Sequence, residues 1–178
     1  AGNNEILFRW DSPVYSSNET VYNGDPDVTI VIDRLLWGGE GANFTGTIVS
    51  RGNVRIASSD INWWMDSSQV LNIVAGGQDT NGDGLLDTGD ITCSTSGLNI
   101  MDNDLCHYHF WAARNIDLRN MRFTLVANRT FYGSFTAGNR VYYQSNSFWE
   151  STDFKWSRWA LDPVAWVEPF KVLSWKEI

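Results

Sequence analysis

The sequence has few of the residues by which an enzyme or a membrane protein is usually recognised. In 178 residues there are only two cysteines, two histidines and four prolines. No apolar run reaches the roughly 18 residues that a transmembrane helix needs, so we expect no membrane span. Lys and Arg number 13 against 21 Asp and Glu, which gives a net charge of −8. Without a basic cluster, this composition argues against nucleic acid as a partner.

Basic residues are missing altogether from one third of the chain. Between Ala57 and Ala113 the sequence has no Lys, Arg or Glu, but it has eight Asp. Outside this window, acidic and basic residues are balanced at 13 each. Because the whole net charge lies in the window, we expect a bound cation to relieve its self-repulsion.

The acidic window contains a twelve-residue loop, residues 79–90, with oxygen-bearing side chains at alternate positions. Its sixth residue is glycine, where a calcium loop turns sharply. The loop resembles the calcium loops of EF-hands and, more closely, those of dockerins. The resemblance covers these twelve residues only and implies a structural calcium ion held by Asp79, Asn81, Asp83, the carbonyl of Leu85, Asp87 and Asp90. A solvated turn without an ion is the alternative.

Two further features join the calcium loop in predicting an extracellular protein. Cys93 and Cys106 flank a short polar segment, and such a close pair predicts a disulfide, with two reduced buried thiols as the alternative. Three Asn-X-Thr sequons are candidates for glycosylation, although chance sequons are common in an Asn-rich chain: Asn18, Asn43 and Asn128.

The pattern of β-branched and aromatic residues predicts a mainly β fold in a single domain, residues 1–178. Residues 28–36 predict a buried strand, while 44–49 and 53–57 alternate in polarity and flank a turn that predicts a hairpin. We therefore expect an antiparallel β-sandwich, immunoglobulin-like or jelly-roll-like, with residues 57–113 as a long calcium-stabilised insertion. No internal repeat is evident.

The N-terminus predicts an assembly strand. Residues 1–14 include Ile6, Phe8 and Trp10 on one face of a strand and Leu7 on the other. Such a strand pairs within its own sheet, or it joins the sheet of a neighbouring molecule. The chain is similar in style to pilus subunits that assemble by donor-strand exchange. This similarity implies a structural subunit of an extracellular filament, with copies of itself as partners.

Ten tryptophans favour a second interpretation, a secreted, calcium-stabilised carbohydrate-binding module. Trp63 and Trp64 point to opposite faces of a strand, so one of them is a candidate for stacking on sugar rings, with core packing as the alternative. The histidines, His107 and His109, share one strand face, but no glutamate lies nearby in the sequence. We therefore do not expect an enzyme.

Overall fold

The structure is a computed structural model, and it describes residues 4–10, 12, 18–34, 44–57, 62–63, 69–93, 99–100, 106–119, 129–142 and 152–156. All regular elements in these stretches are strands, and none of the described residues lies in a helix that is long and apolar enough to cross a membrane. The strands are β1 (Asn4–Arg9), β2 (Glu19–Asn23), β3 (Val28–Arg34), β4 (Gly46–Ser50), β5 (Val54–Ile56), β6 (Asn62–Trp63), β7 (Gln69–Ala75), β8 (Ile91–Cys93), β9 (Asn99–Ile100), β10 (Cys106–Ala112), β11 (Asn115–Asp117), β12 (Arg129–Ala137), β13 (Arg140–Tyr142) and β14 (Thr152–Trp156).

The strands form two six-stranded parallel sheets between which the chain alternates. Sheet A has the order β1-β3-β5-β8-β11-β13, and sheet B has the order β14-β12-β10-β7-β4-β2. The result is a β-solenoid, so the predicted antiparallel sandwich is wrong. The turn after Ser50, predicted to close a hairpin, instead carries the chain from β4 in sheet B to β5 in sheet A. Alternating polarity shows which side of a strand is buried, but it does not fix the direction of the neighbouring strand.

Each sheet presents one central row of apolar side chains to the interior. In sheet A the row is Ile6, Ile30, Val54, Ile91, Ile116 and Val141. In sheet B it is Val21, Ile48, Ile73, Phe110 and Phe135. Most steps along these rows are 24 or 25 residues long, and this spacing is the internal repeat that sequence analysis missed.

The two rows meet in one hydrophobic core between the sheets. Ile32, Ile56 and Leu71 join the row residues there, and Phe44 and Leu118 are also fully buried. Parallel strands stacked in register place like residues side by side, so one apolar position per strand is enough to build a continuous core. The core therefore runs along the solenoid axis between the two sheets.

Residues 57–113, predicted as an insertion, contribute central strands to both sheets. β7 and β10 pair with each other in the middle of sheet B, and β8 lies between β5 and β11 in sheet A. The short strands β6 and β9 pair with each other in a separate two-stranded sheet.

Candidate functional site

The loop at residues 79–90 leaves the solenoid where the chain passes from sheet B to sheet A, a place we call the corner. At the two neighbouring corners, three residues lie between the last aligned position of the sheet B strand and the first aligned position of the sheet A strand. These residues are 51–53 and 113–115. At the corner between Ala75 and Ile91 there are fifteen, residues 76–90. The difference equals the twelve residues of the loop. The loop is therefore an addition to a repeating corner. It accounts for the longer steps along the two rows, from Val54 to Ile91 and from Ile73 to Phe110.

A set of polar side chains, which we call the corner ladder, joins successive strands of sheet A at this corner. The Asn53 side-chain oxygen accepts hydrogen bonds from the backbone N–H groups of Gly89 and Asp90, both at 2.9 Å. Asp90 Oδ1 accepts from the backbone and side-chain N–H groups of Asn115, at 3.1 and 2.9 Å. The side-chain amide of Asn139 donates to Asn115 Oδ1 at 3.0 Å. The ladder is therefore Asn53, Asp90, Asn115 and Asn139, one rung per strand.

The base of the loop is closed by two glycines. Gly77 and Gly89 have positive φ angles, +69° and +105°, and a β-carbon on Gly89 would lie 2.7 Å from the Cα of Gly77. The backbone N–H of Gln78 donates to Thr88 Oγ1 at 2.9 Å across the same base. Only glycine tolerates both the backbone angle and this close approach. The two ends of the loop are thus held against each other.

Side-chain oxygens hold the loop itself by capping its own backbone. Asp79 accepts from the N–H groups of Gly82 and Gly84, at 2.6 and 2.7 Å. Asn81 and Asp83 each accept from the N–H group two residues further on, at 2.9 and 2.8 Å. These are Asx turns, in which a short polar side chain takes the place of a backbone acceptor.

Asp87 ties the two halves of the loop together. Its Oδ2 accepts from the backbone N–H and the hydroxyl of Thr80, at 2.8 and 2.7 Å, and its Oδ1 accepts from the Asn81 amide at 3.1 Å. The side-chain hydrogen bond from Thr80 is the main cause that lowers the pKa of Asp87. Arg114 donates to the backbone carbonyl of Asp87 and lies 3.6 Å from Asp90 Oδ1. Loop and corner ladder are therefore one connected polar network.

This network corrects the calcium-binding prediction. No three His, Cys, Asp or Glu side chains among the described residues form a group that would hold a metal ion. Asp90, predicted to complete the calcium shell, instead holds Asn115, and Asp87 holds Thr80. The structural calcium cofactor itself stays a prediction, which a thermal melt with and without a chelator would test.

The predicted disulfide between Cys93 and Cys106 is also wrong. The structure shows no disulfide in the part of the chain that it describes. Cys93 ends β8 of sheet A and is buried in the core, whereas Cys106 begins β10 of sheet B. Their closeness in sequence was misleading, because the residues between them carry the chain from one sheet to the other.

The predicted assembly strand pairs within its own chain. β1 runs parallel to β3 at the edge of sheet A. Phe8 and Trp10, expected to fill pockets of a neighbour, pack edge-on against Phe44 of the same core, with ring centroids 5.2 and 5.6 Å apart. Ile6 and Leu7 remain 52% and 59% exposed. β1 is thus anchored in cis, and no described strand pairs with its outer edge, where Ile6 and Leu7 are exposed.

The charges of β1 are paired with neighbouring strands of the same sheet. Arg55 of β5 reaches across β3 to Glu5, with an N···O distance of 2.7 Å, and Arg9 forms an ion pair with Asp33. Val31 lies between Leu7 and Arg55 in the outward row, and it is only 2% exposed. The edge strand is therefore fixed to the solenoid by charge pairs as well as by its backbone.

The remaining predicted site residues are only partly described. Asn18 is exposed and has a positive φ of 71° just before β2, so its sequon lies on the surface. Trp63 lies in β6, and its side chain is outside the described part. Asn43, Trp64 and Asn128 lie outside the described residues. Glycosylation and sugar stacking therefore stay predictions.

Of the two histidines, only His109 has a described side chain, and it lies on the outward-facing side of sheet B. His109 Nδ1 lies 3.1 Å from Ser134 Oγ on the neighbouring strand, while Nε2 of the same ring is shielded from solvent. A general base needs access to the proton that it removes, and this ring offers none through Nε2. The prediction that the protein is not an enzyme stays a prediction.

Sequence reasoning missed the residues that join the loop to the solenoid. Asn53, Arg114 and Asn115 looked like ordinary turn residues, because their neighbours along the chain carry no motif. Aligning the chain at steps of 25 residues, with a twelve-residue jump at the loop, would have brought Asp90 and Asn115 into one column. The repeat was therefore the signal that identifies the corner ladder.

Fold and site together define the protein as a parallel two-sheet β-solenoid with one extended corner and with free strand edges among the described residues. The chain was compared with protein-family models, with curated proteins and with solved structures, and it matched none of them.

Proposed function

We propose that the protein is a structural subunit of an extracellular filament, in which copies of the chain stack end to end through the free edges of their sheets. The observation that carries this proposal is the edge strand β1, which exposes Ile6 and Leu7 and whose outer backbone edge pairs with none of the described strands.

A free strand edge offers backbone N–H and C=O groups to any strand that can reach them. Repeat proteins normally cover such ends with a polar cap, because the end otherwise exposes core residues. Here the described N-terminal end exposes Ile6, Leu7 and Tyr22, the last at 64%, and the opposite end of sheet A exposes Val141 at 43%. Apolar ends on both sides favour stacking.

Charge repulsion at the edge is already reduced within the chain. Inward-pointing or unpaired charges on an edge strand normally block further pairing. The two charges of β1, Glu5 and Arg9, are instead paired with Arg55 and Asp33. A second copy therefore meets an edge whose charges are largely compensated.

The proposed assembly differs from donor-strand exchange, because β1 stays in its own sheet and only its outer edge is used. Such a contact joins two different surfaces, the β1 end of one copy and the β13 end of the next. A contact of this kind forms an open filament when its rotation does not close into a ring. Copies added by translation keep all strands parallel, as they are within the chain.

An extracellular location is part of the proposal, and the exposed Asn18 sequon supports it. Asparagine glycosylation requires a surface site in a secreted chain. The other two arguments for this location lost support with the corrected disulfide and the corrected calcium site.

The test uses a matched pair of leucines. Leu7 on β1 is 59% exposed, and Leu85 at the tip of the loop is 71% exposed. We expect electron microscopy of the wild-type protein to show filaments. Lysine on an edge strand opposes strand addition, so Leu7→Lys should abolish these filaments and Leu85→Lys should not. The proposal would be refuted if the wild-type protein stayed monomeric at high concentration, or if Leu7→Lys still formed filaments.

A further inference from the structure

We propose that the β13 edge of a second copy of this chain docks on β1 in one specific register. The inference rests on the proposed end-to-end assembly and adds the occupant and its alignment. This register brings together three pairs of residues, each with one residue from β13 of one copy and one from β1 of the other. The pairs are Arg140 with Glu5, Val141 with Ile6, and Tyr142 with Leu7.

The central pair continues the inward row of sheet A. Within the row, Ile30 is 2% exposed and Ile116 is fully buried, whereas Ile6 and Val141 are 52% and 43% exposed. These two residues occupy the same row position as the buried ones and are exposed only because the row ends there. A second copy that places Val141 on Ile6 covers both ends with the residue type that the row already uses.

The first pair matches opposite charges. One position before the inward row, β1 carries Glu5 and β13 carries Arg140, and the strands between them carry polar residues at this position. Arg140 is exposed and forms no ion pair with a described residue. In the proposed register its guanidinium adjoins Glu5, whose carboxylate has a second oxygen besides the one that holds Arg55. Opposite charges directly across a strand pair are favourable, and like charges are unfavourable.

The third pair lies on the outer face. Leu7, Val31, Arg55, Thr92, Asp117 and Tyr142 form one continuous outward row. Tyr142 is half-buried beneath Arg119, whose guanidinium carbon lies 5.0 Å from the ring centroid. A ring adjoining Leu7 would cover an exposed leucine with an aromatic side chain, a favourable cross-strand combination. A shift of the register by one residue would put Val141 on the outer face and lose all three matches.

The register also fixes the axial repeat of the filament. Sheet A has six strands, and neighbouring strands lie about 4.8 Å apart. Each added copy should therefore advance the filament by about 29 Å, with a strong 4.8 Å spacing along the axis. Images of the filament test this repeat directly.

Disulfide crosslinking tests the register itself. We expect the double variant Leu7→Cys, Tyr142→Cys to form a ladder of covalent oligomers under mild oxidation. The two positions lie at opposite edges of sheet A, about 24 Å apart within one chain, so a bond between them joins two copies. The matched control is Leu7→Cys, Val141→Cys, in which the two side chains point to opposite faces of the sheet. The control should yield at least about tenfold less crosslinked product.

The outcomes separate this inference from the proposed function. Filaments that crosslink equally in both variants, or in neither, would refute the register and leave the assembly intact. Protein that stays monomeric would refute both and assign the β1 edge to another occupant. As a second measurement, Arg140→Glu should raise the concentration needed for assembly about tenfold, whereas Arg140→Lys, which keeps the positive charge, should leave it nearly unchanged. Equal assembly concentrations for Arg140→Glu and Arg140→Lys would count against the charge pair.

Discussion

The corner ladder should be the most sensitive polar feature of the fold, and Asn53→Ala tests it. The side-chain oxygen of Asn53 is the acceptor for two backbone N–H groups, those of Gly89 and Asp90, and both hydrogen bonds are partly buried. Alanine removes that acceptor without changing the backbone. The two donors lie where the loop rejoins β8, so the variant weakens the link between loop and solenoid.

The magnitude follows from these two donors. A buried donor left without a partner costs about 1–3 kcal/mol. Because water reaches a partly buried group, we take about 1 kcal/mol for each donor, or about 2 kcal/mol in total. In a chain of this length, each kcal/mol lowers the melting temperature by about 2–4 °C. We therefore expect Asn53→Ala to melt about 4–8 °C below the wild-type protein.

Thermal unfolding followed by circular dichroism measures the shift, and Asn139→Ala is the control. Asn139 belongs to the same ladder, but its single hydrogen bond to Asn115 is exposed. Its loss should cost no more than about 0.5 kcal/mol, or about 2 °C. If Asn53→Ala were no more destabilised than Asn139→Ala, the corner ladder would not be holding the loop to the solenoid.

Two more predictions concern the loop. Gly89→Ala should destabilise the protein by about 3 kcal/mol or more, because a positive φ is combined with a clash against Gly77. Gly82 has φ +79° but open space around it, so Gly82→Ala should cost only about 1–2 kcal/mol. Equal urea midpoints for the two variants would contradict the close approach of Gly89 to Gly77. The lowered pKa of Asp87 means that its contribution to stability is complete above its ordinary value of 3.8 and is lost as the pH falls through the still lower pKa of the folded state. Asp87→Asn should therefore lose less stability than the wild-type protein between pH 5 and about pH 2, and parallel curves of melting temperature against pH would refute this assignment.

Local structure was more predictable from the sequence than topology. The strand predictions at residues 28–36, 44–49 and 53–57 correspond to β3, β4 and β5. Their pairing could not be inferred, because an inward row in a parallel solenoid and an alternating strand in a sandwich share the same period of two. The short turn after Ser50 fits a hairpin equally well by length.

The loop shows the same limit at a smaller scale. The spacing of Asp79, Asn81 and Asp83 correctly marked a tightly turned segment, since these side chains cap the backbone two or more residues ahead. The role of Asp90 was not visible, because Asn115 reaches it only through the next passage of the chain around the solenoid. The disulfide prediction failed for a related reason. Residues that are close in sequence can lie in opposite sheets, because the chain changes sheet between successive strands.

The extended corner makes the solenoid a natural carrier for foreign segments. Gly77 and Gly89 bring the two ends of the loop almost into contact, and the strands on either side keep the same alignment as at the three-residue corners. A replacement sequence therefore needs only ends that meet, and its interior can vary without a change in the core. In a stacked assembly, each grafted segment would recur about every 29 Å along the axis. One insertion point in the gene would thus become a regularly spaced one-dimensional array on the surface of the fibre.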